Sequence, residues 1–374
     1  MSLDAFRGAT VAGMILVNNP GSWQHMYAPL GHADWHGVTP TDWIFPFFLF
    51  IVGVAIPFSF AARRATTRSM ILAISRRSII LIALGLMIGL IPYNMNNGFF
   101  NLAGQRYPGV LQRIGVCYFA VAMLALFLHR RGIIVALIAV LAIYSALMLG
   151  VAAPGFSRGD LSPEGNLAHY VDVAVFGRHV SSSYADPEGL LSTLPAIGTV
   201  ICGWLVGTRL RRNDLSHGER IAGVFAAGVL GLIAGSILDA VLMPINKKLW
   251  TPSYTIYTAG LACLGLGVFY WLIDMQGWRK WAAPFVAMGM NAITIFVLAG
   301  VVARLMLIRA IPAPATDAAT QPAAGVAIKT WLYRAIFEPH FDPVNASLAW
   351  ALCFVAAFTA LAMLMHKRRI YFKV

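Results

Sequence analysis

The stretch TPTDWIFPFFLFIVGVAIPFSFAARR, residues 39–64, decides how this chain folds. From Trp43 to Ala62 it carries no charged side chain. About 20 apolar residues rising 1.5 Å each match the roughly 30 Å hydrocarbon core of a bilayer. The run begins on helix-entry residues and stops at Arg63-Arg64, which predicts a membrane helix over 40–61. Working outward, comparable apolar windows predict further helices near 3–19, 70–92, 107–128, 133–152, 190–210, 219–243, 252–273, 283–308 and 346–366. The fold class is therefore all-α: a polytopic membrane helix bundle of about 10 transmembrane helices in one domain, 1–374.

Composition supports that reading over any soluble one. The 374 residues are 59% hydrophobic and 11% charged, with a mean hydropathy of +0.72. Soluble domains carry about 25% charged residues, and too few are present here to cover a water-facing surface. A cytosolic globular enzyme, a disordered chain and a disulfide-stapled module are excluded. No basic segment with a small-residue cleavage site precedes the first apolar run, so the first helix is expected to stay in place.

The net charge of +13 invites a nucleic-acid reading, but its distribution answers otherwise. The connections RRATTR, HRRG, RLRRNDLSHGER and QGWRK and the tail HKRRIYFKV fall on one side of a ten-helix arrangement. With the adjoining helix ends, that side holds 18 of the 28 Lys and Arg but 4 of the 15 acids; the other holds 10 and 11. The positive-inside rule then places both termini in the cytoplasm, in the cell (inner) membrane. No nucleic-acid partner is needed. Cys117, Cys202, Cys263 and Cys353 stand singly in apolar runs and read as packing residues. Neither a disulfide nor a metal site is expected, because Cys, His and acids show no ligand spacing.

Four outer connections, 20–39, 93–106, 153–189 and 310–345, are longer than turns need, and long ordered loops tend to be functional. The last opens with the low-complexity stretch IPAPATDAATQPAAG. His32, in LGHADWHG before the second helix, is placed to act as a neutral base at the membrane boundary. It also reads as one polar member of an aromatic belt with Trp23, Trp35 and Trp43. His25 and His36 share the loop without an adjoining helix entry. Asn18, in ILVNNP, either donates to an oxyanion or caps the first helix. Asp42 either complements the helix dipole or orients the histidine.

Arg113, read as two turns inside the fourth helix, is costly there and by default marks a ligand, a paired acid or a wet cavity. A phosphate suits its guanidinium, Gln112 stands beside it, and Asp239 is a candidate salt-bridge partner. Asp186 and Glu188 in DPEG either bind a sugar or form a plain turn. In INKKLWTPSY, Asn246 and Trp250 could form a polar-rimmed stacking platform, with Lys247 and Lys248 where basic residues are otherwise sparse. Asn291 is a buried amide that must find a partner. No GxSxG, HExxH or Walker loop is present.

Taken together, SLDAFRG, ILVNNPG, HADWHGVTPTDWIFPFFLFIVG, RYPGVLQRIGVCYF, YVDVAVFG, DPEGLLSTLPAI, INKKLWTPSY, GMNAI and KRRIYFKV resemble the heparan-α-glucosaminide N-acetyltransferase family and its bacterial membrane relatives. The segments keep the family's order from residue 2 to the end. The resemblance omits the amino-terminal luminal domain and extra crossing of the lysosomal enzymes. It implies transfer of an acetyl group from cytoplasmic acetyl-CoA to the amine of a glucosamine-type sugar or glucosamine-terminated glycan on the far side. It places catalytic roles on His32, Asn18 and Asp42, and donor binding on Arg113 with neighbouring Gln112. Substrate-binding candidates are Asp186, Glu188, Trp250, Asn246 and Asn291. A homodimer is compatible with the resemblance, and no helix face here places an interface. A path through the bundle is expected, so that only the acetyl group crosses. The rival readings are an amino-sugar or oligosaccharide permease, an acyltransferase with another acyl group or acceptor, and a membrane anchor without chemistry.

Overall fold

The computed structural model describes residues 1–62, 66–91, 102–181, 186–309, 311 and 325–372. Most of the expected loop 93–106, the low-complexity stretch after Ile311 and the last two residues of the tail lie outside the described residues. Among the described residues the fold is helical, with two isolated β-bridges and no strand.

Each of the ten expected helices has a counterpart. They are α1 (Ser2–Asn18), α2 (Pro40–Ala61), α3 (Thr67–Gly89), α4 (Val110–Phe127) and α5 (Arg130–Gly150), followed after a short helix α6 (Leu167–Phe176) by α7 (Thr193–Leu210). Then come α8 (His217–Val241), α9 (Pro252–Tyr270), α10 (Ala283–Met290), α11 (Ala292–Leu305), a short α12 (Ile328–Ile336) and α13 (Pro343–Lys367). Eight helices are long and apolar enough to cross a membrane. The expected ninth helix is broken: α10 and α11 meet at Asn291 with a 75° bend. Helix α1 has 17 residues. The loop 153–189 contains α6, and 310–345 contains α12, neither of which the hydropathy windows indicated.

Local chemistry sets the helix ends. Thr39 and Asp42 form a reciprocal capping box at the start of α2, with Pro40 in its first turn,. Ser216 and Glu219 do the same for α8. Helices α2 and α7 approach so closely that a Cβ on Gly53 would overlap the Val200 carbonyl, and one on Gly203 the Phe50 carbonyl. Small residues at helix contacts are how membrane bundles pack without a hydrophobic driving force. On the outside, α5 presents Val135, Ile138 and Ile143 and α8 presents Leu230, Ile233 and Ile237, all exposed. Such faces suit a hydrocarbon surround. The Met1 amino group lies 3.6 Å from Asp274, and Ile370 and Phe372 of the tail bond to Asn291. Opposite that terminal end, the loops 19–39, 102–109, 186–192 and 243–251 gather at what we call the loop end.

Candidate active site

At the loop end a cavity of about 540 Å³ opens between α1, α2, α3, α4, α11 and α13. His32 and Asp42 share its wall. The carboxylate enters through the capping box: Asp42 Oδ2 accepts from the Thr39 amide at 3.0 Å, the Thr39 hydroxyl at 3.0 Å and the Ala33 amide at 3.1 Å. Its other oxygen, Oδ1, is 2.7 Å from His32 Nδ1. Asp42 is 1% exposed and the imidazole 45%. With Nδ1 donating to the buried carboxylate, Nε2 carries the lone pair on the ring's accessible side. One residue thus caps a helix and orients an imidazole, so the two readings of Asp42 coexist.

Asn18 also lines the cavity and is exposed to it. The capping role falls to its neighbour instead, since Asn19 Nδ2 donates to the Ile15 carbonyl at 2.8 Å. Among the described residues, the Asn18 amide has no hydrogen-bond partner. A third group joins the pair: Lys247 Nζ is 3.3 Å from Asp42 Oδ1 and 3.0 and 3.3 Å from the two ring nitrogens of His32. Burial lowers the ammonium's pKa, and the Asp42 charge opposes that shift,. Sequence reading placed no role on Lys247. The available signal was a basic pair on the side otherwise poor in basic residues.

The acids of DPEG part company. Asp186 is buried, held by a fork from Arg106 and by the Ser181 and Glu188 amides at 2.8 and 2.9 Å. Burial alone would raise its pKa, but the Arg106 hydrogen bond and charge hold it below the usual carboxylate range,. Glu188, also bound by Arg106, faces the cavity, as does Gln112.

Besides Asp186, four expected site residues lie off the cavity wall. Helix α4 starts three residues later than the hydropathy window suggested, after Pro108-Gly109, so Arg113 is one turn inside it. Its guanidinium donates to the Pro187 and Gly189 carbonyls, both at 2.8 Å, and to Ser192 Oγ at 2.5 Å. The same group lies 5.0 Å from the centre of the Trp250 ring. Asp239 is not its partner; that carboxylate accepts from the Ile245 amide at 2.5 Å. Trp250 is fully buried and donates to Thr199 at 3.1 Å, so it forms no surface platform. Asn246, also fully buried, ties the turn by accepting from the Leu249 amide at 2.9 Å. Asn291 is spent on the tail: it donates to Ile370 O at 3.1 Å and accepts from the Phe372 amide at 3.2 Å.

The cavity descends α11 from Arg304 to Phe296, about 12 Å by helix rise, and α13 to Phe354,. Deeper, Val11, Leu49, Ile295 and Phe358 are packed, at 0–7% exposure. The cavity therefore occupies the loop-end half of the bundle, where the expected path would run its full length. Among the described residues no group of three or more His, Cys, Asp or Glu could hold a metal.

A helical bundle with apolar spans, and a carboxylate-oriented imidazole in a cavity at one end, defines a multi-pass membrane protein. No family model matches the chain. It is 31% identical over 350 aligned residues to the heparan-alpha-glucosaminide N-acetyltransferase of Homo sapiens, and 30% over 351 to that of Mus musculus. Each alignment covers 79% of this chain and 52% of the relative, so the chain spans about half the length of the curated relatives it matches. The chain belongs to the heparan-alpha-glucosaminide N-acetyltransferase family.

Proposed function

We propose that this protein is a transmembrane N-acetyltransferase. It takes the acetyl group of cytoplasmic acetyl-CoA and delivers it to the amino group of a glucosamine-type sugar at the loop end. The observation that carries the reading is the 2.7 Å contact between His32 Nδ1 and the buried Asp42, on the wall of a cavity that also exposes Asn18. The loop end faces away from the cytoplasm, as the charge asymmetry of the connections favours, with both termini cytoplasmic in the cell membrane.

In the reaction, the amine nitrogen forms a bond to the thioester carbonyl carbon and the carbon–sulfur bond breaks. His32 Nε2 takes the proton from the attacking amine and returns it to the departing thiolate. Asn18, whose amide is unspent, donates to the oxyanion of the tetrahedral intermediate. Asp42 holds the tautomer and compensates the imidazolium that forms. An acetyl-histidine route would use the same groups, with Nε2 as the nucleophile. Either way no charged sugar has to cross about 30 Å of hydrocarbon. Arg113 serves indirectly: by clamping residues 187–192 it fixes the segment that presents Glu188 to the acceptor.

Purified protein with acetyl-CoA and glucosamine, scored by free thiol release, tests this. Wild type should release thiol, while folded His32→Ala should lose about 10²–10⁴-fold in rate, the contribution typical of a general base. Accumulation of sugar in sealed vesicles without thiol release would instead make the protein a permease.

A further inference from the structure

Lys247 takes no step in the chemistry above, yet it is the cation nearest both members of the histidine–aspartate pair. Its ammonium is 3.3 Å from Asp42 Oδ1 and nearly equidistant from the two ring nitrogens of His32, at 3.0 and 3.3 Å. Near-equal distances put it against the ring rather than on one lone pair. The lysine side chain is 18% exposed and the carboxylate 1%, so water screens their attraction less than at an open surface,. The turn that carries it is pinned to the histidine loop, with the Gly37 amide donating to Ile245 O at 2.7 Å. The backbone therefore places the root of the Lys247 side chain beside the histidine loop.

We propose that Lys247 is a positioning residue that sets the charge state of the pair: by neutralising Asp42 it keeps His32 unprotonated, with the Nε2 lone pair free. The proposal rests on the transferase reading for its purpose, though not for its test. The charges argue for it. With the ring neutral, Asp42 and Lys247 cancel. A proton on the ring would set two cations within about 3 Å of each other around a single carboxylate, a repulsion that falls only inversely with distance. Without the lysine, the same carboxylate would favour the imidazolium.

The other charged groups facing the cavity do not substitute: Lys329 donates to the Pro20 carbonyl at 2.7 Å and Arg304 to the Ile91 carbonyl at 3.0 Å. Lys248, on the same turn, adds positive charge but points to the Asp34 carbonyl at 3.3 Å. Glu188, across the cavity, is held by Arg106, which also binds Asp186. Asp34 and His36, on the histidine's own loop, make no bond to the ring among the described residues.

The test compares wild type with Lys247→Met, Lys247→Gln and Lys247→Arg in two readouts. These are the pH–rate profile of thiol release and the NMR titration of the His32 ring, identified as the signal absent from His32→Gln. Removing the charge in Met or Gln should move the acidic limb and the ring titration up by about one pH unit, a tenfold rate loss on the acidic side that recovers at high pH. Arginine, which keeps the charge, should keep the wild-type limb. A loss equal at every pH, or a ring titration unchanged in both charge-removing variants, overturns the proposal. If wild type releases no thiol, the transferase reading fails while the ring titration still decides this one. If Met does not fold, Gln decides the question alone, because it retains a donor and drops only the charge.

Discussion

The cavity wall and the buried hub directly behind it treat their polar groups in opposite ways. On the wall, Asn18 is exposed with no side-chain partner among the described residues, and the His32 ring is nearly half accessible. In the hub, Arg113, Trp250 and Asn246 are at most 2% exposed, and all their side-chain groups but Arg113 Nε, which makes no bond among the described residues, meet carbonyls, amides, a hydroxyl or a ring. Tyr254 joins the two regions, donating from the hub to the Asp42 carbonyl at 2.6 Å. The lesson is that polarity inside a membrane protein does not by itself mark chemistry. A buried polar group with its bonds made is architecture, because leaving it unpaired would be costly. A polar group left with spare bonding capacity beside a cavity is available to a ligand.

Replacing Arg113 strains this distinction most. Arg113→Met strands the Pro187 carbonyl and removes the charged bonds to Gly189 O and Ser192 Oγ, which keep bonds of their own to Thr193 and to each other, and should cost about 3 kcal/mol of stability. Thermal unfolding of the detergent-solubilised protein measures it. If Arg113→Met instead keeps wild-type stability and specifically raises KM for acetyl-CoA, the guanidinium belongs to the donor site and the contrast breaks.

Asn18→Ala should do the reverse. With no bond to lose, stability should stay within about 0.5 kcal/mol, while thiol release falls about 100-fold, as for other oxyanion donors. A melting curve and a rate measured on the same preparation separate the two effects.

The smallest effect concerns Asp172 on α6, buried where it accepts from the Leu190 amide at 2.7 Å. Burial first, and the neighbouring Asp186 charge, push its pKa up to about 7, against the Leu190 hydrogen bond and the arginines nearby. A carboxyl raised in the folded state binds more protons than in the unfolded chain between about pH 4 and 7. Its contribution to stability therefore falls as pH rises through that window and levels off above it. Asp172→Asn keeps the acceptor without the charge, and should stabilise the protein at pH 8 and change its stability by almost nothing at pH 4. Equal gains at both pH values would show that ionisation of Asp172 is not what destabilises the hub.

Much of the fold was readable because hydrocarbon imposes a one-dimensional rule. A segment must be apolar and about 20 residues long to cross, so the windows at 40–61, 190–210 and 252–273 need no knowledge of their neighbours. The break at Asn291 escaped that rule, since MGMNAI is apolar on both sides of a bend that the tail's bonds to one amide help to hold. The capping signature Thr39–Asp42 was equally local, and so was the proximity of His32 to it. Which polar residues reach the cavity was not local. Trp250 and Lys247, three positions apart in one turn, end in the core and beside the imidazole respectively, with Trp250 at a φ of +53°. Hydropathy determined the ten long apolar segments and, to within a few residues, where they lie. Only the tertiary structure decided which side chains have their hydrogen bonds filled, because those partners lie on segments up to two hundred residues away.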